Sequence, residues 1–221
     1  MPIKVLADLH VHSNYSWDGH NKIEEIITVA IKKGLKVLAI TDHDDNRSHK
    51  EIKELQKKYP QILLIPGIEF TAKEGHIIGL GEMDTLPKKT PGEKVIEHIH
   101  KNNGLAILVH PFDIFRSGVG KIGFNWEIDA VEAINASTLF SIINRKAAKE
   151  GKKRGLPLLG SSDAHRDIEV GFARTMITLN KLTIEEIFNA IKQKRTEPIG
   201  KRIGILRKTT RYFLRKTKLK K

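Results

Sequence analysis

Residues 3–13 have the sequence IKVLADLHVHS, in which an apolar run is followed at once by two histidines spaced two residues apart. The run from Ile3 to Ala7 predicts a buried strand. Because side chains two residues apart on a strand point to the same side, His10 and His12 can reach one metal ion if they lie at or just beyond the strand's end. An HxH pair also arises by chance, so its meaning depends on whether the rest of the chain supplies further ligands.

The composition limits the kind of protein that this chain can form. Its 221 residues indicate one domain, large enough to bury a core without disulfide or metal staples. The chain has no cysteine, so a metal site must use histidine and carboxylate ligands, and a disulfide scaffold is excluded. Residues 1–20 lack the apolar core of a signal peptide, and no apolar stretch approaches the roughly 18–20 residues of a membrane span. We therefore expect a cytoplasmic protein without a transmembrane segment.

The positive charge is concentrated at the C-terminal end. Residues 201–221 hold ten of the 39 Lys and Arg residues and no acidic residue, so residues 1–200 carry only +3 of the formal net charge of +13. Aliphatic and aromatic residues, including Tyr212 and Phe213, lie among these cations. The segment could bind the phosphates of a nucleic acid, lie on an anionic membrane surface, or serve as a solvated tail. The sequence leaves these three roles open.

Short apolar runs alternate with amphipathic segments along the chain. Strands are predicted at residues 3–7, 37–41, 62–65, 77–80, 105–109, 130–134, 156–159 and 174–179, and helices at 23–31, 48–58, 93–103, 139–154 and from 184 onward. This alternation predicts an α/β fold with a mainly parallel sheet, and seven or eight strands favour a barrel over an open sheet. The chain has no GxGxxG or P-loop pattern, which argues against nucleotide-cofactor folds.

Potential metal ligands stand at the end of five predicted strands and at the start of another. Asp163 and His165 even repeat the two-residue spacing of the first pair. In a barrel, strand ends meet at one mouth, where such groups would repel one another unless a cation joined them. Including Asp18 in the loop after the first strand, the candidate ligands are His10, His12, Asp18, His43, Glu69, His76, His110, Asp163 and His165. The other histidines, His20, His49, His98 and His100, do not fit the pattern and are expected to be ordinary side chains.

Six motifs, in this order, resemble those of the PHP (polymerase and histidinol phosphatase) family. They are DLHVHS at 8–13, TDHDD at 41–45, GIEF at 67–70, GHIIGLG at 75–81, HP at 110–111 and SSDAH at 161–165. The resemblance extends from residue 3 to about residue 195 and implies a distorted (β/α)7 barrel with two to three divalent metal ions at its mouth. Together with the charge distribution, it predicts a barrel domain at 1–200 and a basic C-terminal extension at 201–221.

The resemblance also implies how the metal ions share their ligands. The implied sets are His10, His12, Glu69 and Asp163 for one ion, Glu69, His76 and His110 for a second, and Asp18, His43 and His165 for a third. Glu132 and Asn135 also resemble a family segment, in which they would support the ligands or the fold. Mixed imidazole and carboxylate ligation suits Zn, Mn or Fe without choosing among them.

This ligand set predicts the hydrolysis of phosphate esters of small metabolites or nucleotides. Clustered divalent metals lower the pKa of a bound water, so that a metal-bound hydroxide can attack phosphorus while the metals neutralise the phosphate oxygens. Catalytic roles are expected for Asp163, His165 and Arg116. Four cations could bind the phosphate group, and Arg116 is the best placed of them; the other three are Lys121, Arg145 and Arg174. One alternative is an exonuclease or oligoribonuclease acting on short nucleic acids held by the basic tail. Another is a non-catalytic binding module that the metals stabilise.

Overall fold

A computed structural model of the protein describes residues 1–203, and these form a single nine-stranded sheet. The strands are β1 (Ile3–Asp8), β2 (Val37–His43), β3 (Leu63–Thr71), β4 (His76–Leu80), β5 (Leu105–Leu108), β6 (Ala130–Asn135), β7 (Leu158–Ser161), β8 (Ala173–Leu179) and β9 (Thr196–Gly200). Their order across the sheet is β7-β6-β5-β4-β3-β2-β1-β8-β9. The two end strands lie side by side, and the Thr196 hydroxyl donates a hydrogen bond to the Leu158 carbonyl (3.1 Å). The sheet therefore curls into a nearly closed barrel, as predicted.

Five α-helices lie among residues 1–203, close to the predicted positions. They are α1 (Ile23–Lys32), α2 (Ser48–Lys58), α3 (Gly92–Lys101), α4 (Ser141–Lys153) and α5 (Ile184–Lys192). Helix α5 begins where the sequence predicts a cap, since the Thr183 hydroxyl accepts a hydrogen bond from the Glu186 amide (3.3 Å). The irregular segment at 112–128 contains only two short 3-10 turns, Ile114–Arg116 and Ile122–Asn125. No helix in this part of the chain is long and apolar enough to cross a membrane.

The sheet is less parallel than expected. Four of its eight strand pairings are parallel and four are antiparallel, so the expectation of a mainly parallel sheet is wrong. The four residues 72–75 between β3 and β4 are too few for a helical crossover, so β4 returns as a hairpin. Residues 162–172 also lack an α-helix, and β8 runs antiparallel to β1. Strand β9 was not predicted because Thr196–Gly200 has no apolar run and contains Pro198.

Apolar side chains fill the barrel interior and one of its ends. Val5 and Ala7 of β1 face the interior cluster, while Leu6 between them packs outside against residues of α1 and α2. Ile187 and Ile191 of α5 belong to the same interior cluster, so this helix closes the end of the barrel at which β1 begins. The opposite end, where β1, β2, β3, β5, β6 and β7 all finish and β4 begins, carries the polar residues.

The chain stays packed against the barrel up to the last described residue. The Lys201 amide donates to the Phe172 carbonyl (3.0 Å), and buried Ile203 donates from its amide to the Ala136 carbonyl (2.7 Å). Most of the predicted basic tail, residues 204–221, lies outside the described residues, so the division into two parts at residue 200 stays a prediction.

Candidate metal centre

All nine side chains that the sequence predicts as metal ligands converge at the open end of the barrel. They form four overlapping groups, within each of which one ligand atom of every member lies within 4.8 Å of the others. The groups are His10-His12-Asp163, His10-Glu69-His110, His43-Glu69-His76 and His12-Asp18-His43-His165. Because the groups share members, the arrangement suits several neighbouring ions better than one isolated ion.

The carboxylate of Glu69, at the end of β3, lies at the centre of the cluster and is almost fully buried. Its Oε2 is 3.1 Å from His10 Nε2, 3.1 Å from His12 Nε2 and 3.3 Å from His43 Nδ1, and its Oε1 is 3.0 Å from both His76 Nδ1 and His110 Nε2. The two oxygens thus face different sets of imidazoles. This is the geometry that a carboxylate needs in order to bridge two metal positions.

Asp163 follows β7 and faces the cluster with one oxygen only. Its Oδ1 lies 3.7 Å from His10 Nε2, 3.6 Å from His12 Nε2 and 3.4 Å from His165 Nδ1. Its Oδ2 accepts hydrogen bonds from the Asn135 amide nitrogen (3.0 Å) and from the Arg116 guanidinium. The carboxylate is therefore held in one orientation, with Oδ1 directed at the histidines.

Glu132, on β6, fixes the orientation of the first histidine. Its Oε1 lies 3.1 Å from His10 Nδ1, and its Oε2 accepts hydrogen bonds from the His110 amide (2.9 Å) and the Asn135 side chain (2.8 Å). A carboxylate at Nδ1 keeps the proton on that nitrogen and leaves the Nε2 lone pair directed at the cluster. Glu132 and Asn135, which the sequence singled out only through the family resemblance, therefore contact the cluster without belonging to any of the four groups.

Asp18 enters the centre from the loop after β1. Its Oδ2 is 2.9 Å from His165 Nε2 and 3.7 Å from His43 Nε2. Buried Asp42 anchors this loop by accepting hydrogen bonds from the amides of Ser13 (2.7 Å) and Ser16 (3.1 Å). The role of Asp42 could not be derived from the sequence, where it is one of three acidic residues in TDHDD.

Two of the converging residues have strained backbones. His110 and Asp163 adopt positive φ angles of 30° and 50°, which L-residues seldom populate. Such strain is concentrated at functional sites, where the surrounding structure holds the residue in place.

The electrostatics keep the carboxylates ionised despite their burial. Burial by itself would raise the pKa of Glu69, but His10, His43 and His76 outweigh it and hold that pKa well below its usual range. For His12 burial acts in the opposite direction and would lower the pKa, but contacts with Asp163 and Glu69 raise this pKa to about 9. Burial lowers the pKa of His43 to about 3, so this imidazole stays neutral near pH 7.

The donor set fits divalent metal ions. His10 Nε2 and His12 Nε2 lie only 3.1 Å apart, and Glu69 Oε2 is 3.1 Å from each of them. In the metal-free chain protons hold these groups together, and a divalent cation that displaces the protons would meet converging nitrogen and oxygen lone pairs. Nitrogen and oxygen donors of these types are those that Zn, Mn and Fe accept in proteins.

A cavity of about 610 Å³ lies above the cluster. Among residues 1–203, the lining of this cavity includes two Lys or Arg residues, Arg116 and Lys88. The Arg116 Nε donates to the Ser137 carbonyl (3.3 Å), and Lys88 was not among the cations proposed from the sequence. Lys121, Arg145 and Arg174, the other cations proposed from the sequence, do not line this cavity. Arg116 is therefore the predicted cation that the structure brings to the site, although it also pairs with Asp163.

Three of the histidines that the sequence set aside make structural contacts away from the cluster. His49 Nε2 lies 3.3 Å from the Gly67 carbonyl, His98 Nε2 lies 2.9 Å from the Asp84 carbonyl, and His100 Nε2 lies 2.9 Å from Asp129 Oδ2. Neither these nor His20 join the four groups found among residues 1–203.

Comparison with known protein sequences identifies two family matches and a relative of this chain. Residues 8–128 match the PHP domain family, and residues 142–196 match the PHP-associated family. The chain is 38% identical over 151 residues to the uncharacterized protein MJ1587 of Methanocaldococcus jannaschii, an alignment that covers 64% of this chain and 88% of that protein.

Two solved structures show the same fold. One is a two-domain protein of Bacteroides vulgatus that contains a predicted PHP-like metal-dependent phosphoesterase (TM-score 0.72, 19% identity, covering 97% of this chain and 70% of that one). The other is the lesion-specific endonuclease PfuEndoQ of Pyrococcus furiosus (TM-score 0.62, 20% identity, covering 86% and 56%). The family match spans more than half of the chain and includes the strands that carry most of the convergent cluster, so this protein belongs to the PHP domain family.

Proposed function

We propose that the protein hydrolyses phosphate esters of small metabolites or nucleotides at a centre of two to three divalent metal ions. The observation that carries this proposal is the position of Glu69, whose two buried oxygens face separate groups of imidazoles directly below an open cavity. The proposed ligands are His10, His12, Asp18, His43, Glu69, His76, His110, Asp163 and His165. A purely structural metal site would have closed coordination and no cavity beside it.

The side chains of the site divide the work of binding and orientation. When bound, divalent ions supply Lewis-acid chemistry, which lowers the pKa of water and neutralises phosphate oxygens. Glu132 keeps the proton of His10 on Nδ1, and Asn135 and Arg116 hold Asp163 Oδ2. Arg116 uses its Nε and one Nη in these contacts, and because it lines the cavity, its remaining N–H donors are proposed to bind a phosphate oxygen.

A metal-reconstituted activity screen tests this proposal. The purified chain, loaded with Mn or Zn, is offered phosphomonoesters, nucleotides and short oligoribonucleotides, and released phosphate or nucleotide is measured. We expect Asp163→Asn to lose activity by at least about a hundredfold, because one ligand of the centre and the partner of Arg116 are altered. The exposed Asp84→Asn serves as the control and should retain wild-type activity. If no compound is hydrolysed with either metal, the centre serves a non-catalytic binding module.

A second candidate function is nuclease activity, and the path of the C-terminal end of the described chain favours it. The Arg202 guanidinium donates to the carbonyl of Leu139, a residue that lines the cavity. The described residues end one position later, at Ile203, and residues 204–221 contain eight further Lys and Arg residues. A segment rich in Lys and Arg, in the same chain as a phosphoesterase site, suits an extended polyanion such as single-stranded nucleic acid.

Removing residues 204–221 distinguishes the possible roles of the tail. If the tail binds nucleic acid, the deletion weakens oligonucleotide binding and flattens its dependence on salt concentration, while hydrolysis of a small phosphomonoester is retained. Lost binding to anionic vesicles, with unchanged oligonucleotide binding, would instead assign the tail to a membrane surface.

A further inference from the structure

The cavity above the metal centre has a charged floor and an aromatic rim. His43, Glu69 and His165 lie at its floor, whereas Trp17 and Phe115 stand at its edge with 44% and 69% of their surfaces exposed. Large apolar side chains scattered singly over a surface need no explanation, but two aromatic rings that line the same polar cavity do.

Both residues are held in place although their rings are exposed. The Trp17 ring stacks on the imidazole of His43, with centroids 6.0 Å apart and planes inclined by 25°. The Phe115 amide donates to Asp113 Oδ1 (3.2 Å), and Asp113 Oδ2 in turn accepts from the Thr138 hydroxyl. The Trp17 ring and the Phe115 backbone are thus fixed by contacts within the protein, which lowers the ordering cost for a ligand that contacts these residues.

The size of the cavity leaves room for a substrate that is larger than a phosphate group. A volume of about 610 Å³ is typical of pockets that hold a complete small-molecule ligand. With the phosphate at the metal cluster, the remainder of the substrate extends to the rim. The surface that it meets there includes the exposed rings of Trp17 and Phe115, and aromatic rings favour contact with a flat ring over a polyhydroxylated chain.

We propose that Trp17 and Phe115 form a stacking subsite for an aromatic ring in the substrate. The preferred substrates are then phosphate esters that carry a nucleobase or another flat ring, either as mononucleotides or at the end of an oligonucleotide. Phosphates of sugars and polyols are poor substrates. This inference rests on the proposed phosphoesterase function and specifies its substrate class.

Two matched pairs of substrates test the subsite. Adenosine 5′-monophosphate and ribose 5-phosphate share the same primary leaving alcohol and differ in the base, and benzyl and cyclohexylmethyl phosphate differ in the flatness of the ring. We expect the kcat/KM ratio of the first member over the second to be about five- to tenfold in the wild type, as one or two stacking contacts would give. A 5′-phosphorylated diribonucleotide, run alongside, shows whether the preferred source of the ring is a mononucleotide or an oligonucleotide.

Variants connect the preference to the two rings. Phe115→Ala and Trp17→Leu should each lower the ratio toward one. Phe140→Ala removes a ring whose exposure, 56%, lies between those of Trp17 and Phe115 but which does not line the cavity, and it should leave the ratio unchanged. A wild-type ratio near one, or a ratio that neither rim variant lowers, would overturn the subsite while the phosphoesterase function stands.

A binding measurement separates failure of the subsite from failure of the proposed function. The chain has two tryptophans, so Trp126→Phe leaves Trp17 as the only indole reporter. Should no phosphate ester be hydrolysed, the proposed function fails, and the subsite is tested by titrating this variant with adenosine 5′-monophosphate. Saturable quenching that ribose 5-phosphate does not produce supports the stacking surface, and no saturable quenching contradicts it.

Discussion

Replacing Glu132 by Gln should weaken metal binding without unfolding the protein. Three N–H groups surround this buried carboxylate. They are His10 Nδ1 at 3.1 Å, the backbone amide of His110 at 2.9 Å and the side-chain Nδ2 of Asn135 at 2.8 Å. The oxygen of a glutamine can accept from the last two. Its NH₂ group would then face the His10 Nδ1–H, placing a donor against a donor.

The histidine relieves this conflict most readily by changing tautomer. With the proton moved to Nε2, the atom that lies 3.1 Å from Glu69 Oε2 is no longer a metal ligand. Removing a partner that orients a metal-bound histidine costs about 10- to 100-fold in metal affinity, and we expect Glu132→Gln to fall within that range. Because the side-chain volume is conserved and two of the three hydrogen bonds remain, the metal-free variant should still fold, with a melting temperature lowered by the loss of one buried hydrogen bond.

Competition with a chromophoric chelator measures the predicted loss directly. Mn or Zn affinity is determined for the wild type, for Glu132→Gln and for Glu127→Gln, which makes the same chemical change at an exposed site. Equal affinity of all three proteins would refute the idea that Glu132 sets the tautomer of His10. An equal loss in both variants would attribute the effect to net charge and not to the hydrogen bond.

Three further perturbations have defined outcomes. Gly19→Ala should displace the loop that carries Asp18, since an added Cβ would lie 1.9 Å from the Ser13 carbonyl oxygen. We expect the variant to bind fewer metal ions and to have a lower Tm. If neither the stoichiometry nor the Tm changes, the loop adapts to the added methyl group. Removing metal with a chelator should lower Tm by several degrees, because bound ions stabilise the folded state by mass action, and re-adding Mn or Zn should restore it. Burial by itself would lower the pKa of His12, but Asp163 and Glu69 raise this pKa to about 9. The imidazole is therefore protonated near pH 7 in the metal-free chain, and it must lose its proton when a metal binds. Apparent metal affinity should therefore rise with pH up to about 9, and calorimetry in buffers of different ionisation enthalpy should detect proton release; a pH-independent affinity would contradict this.

The convergence of the cluster could be predicted because all of its members except Asp18, which lies in a loop, stand at or near strand ends. Once β1, β3 and β5 are recognised as strands that finish at one edge, the residues that end them must meet there. The long separations in sequence do not matter, as His10 and Asp163 show, whose ligand atoms lie 3.7 Å apart across the barrel mouth.

Contacts that depend on tertiary detail could not be predicted. The sequence placed Arg116 near the phosphate but gave no sign that its guanidinium would pair with Asp163, 47 residues away. It also missed the antiparallel return of β8 and the existence of β9, because strand pairing there is decided by barrel closure and not by local apolar pattern. Lys88 and Phe115 lie in irregular segments, where spacing carries no information about which way a side chain points.

Anomalous diffraction from crystals grown with Mn tests the central claim most directly. The claim is that Glu69 bridges two ions, so two or three anomalous peaks should appear at the barrel mouth, two of them within about 2.0–2.3 Å of Glu69 Oε1 and Oε2 respectively. The remaining contacts of these peaks should come from the surrounding imidazoles and Asp163. An absence of peaks at the mouth, or a single ion that does not touch Glu69, would contradict the proposed centre.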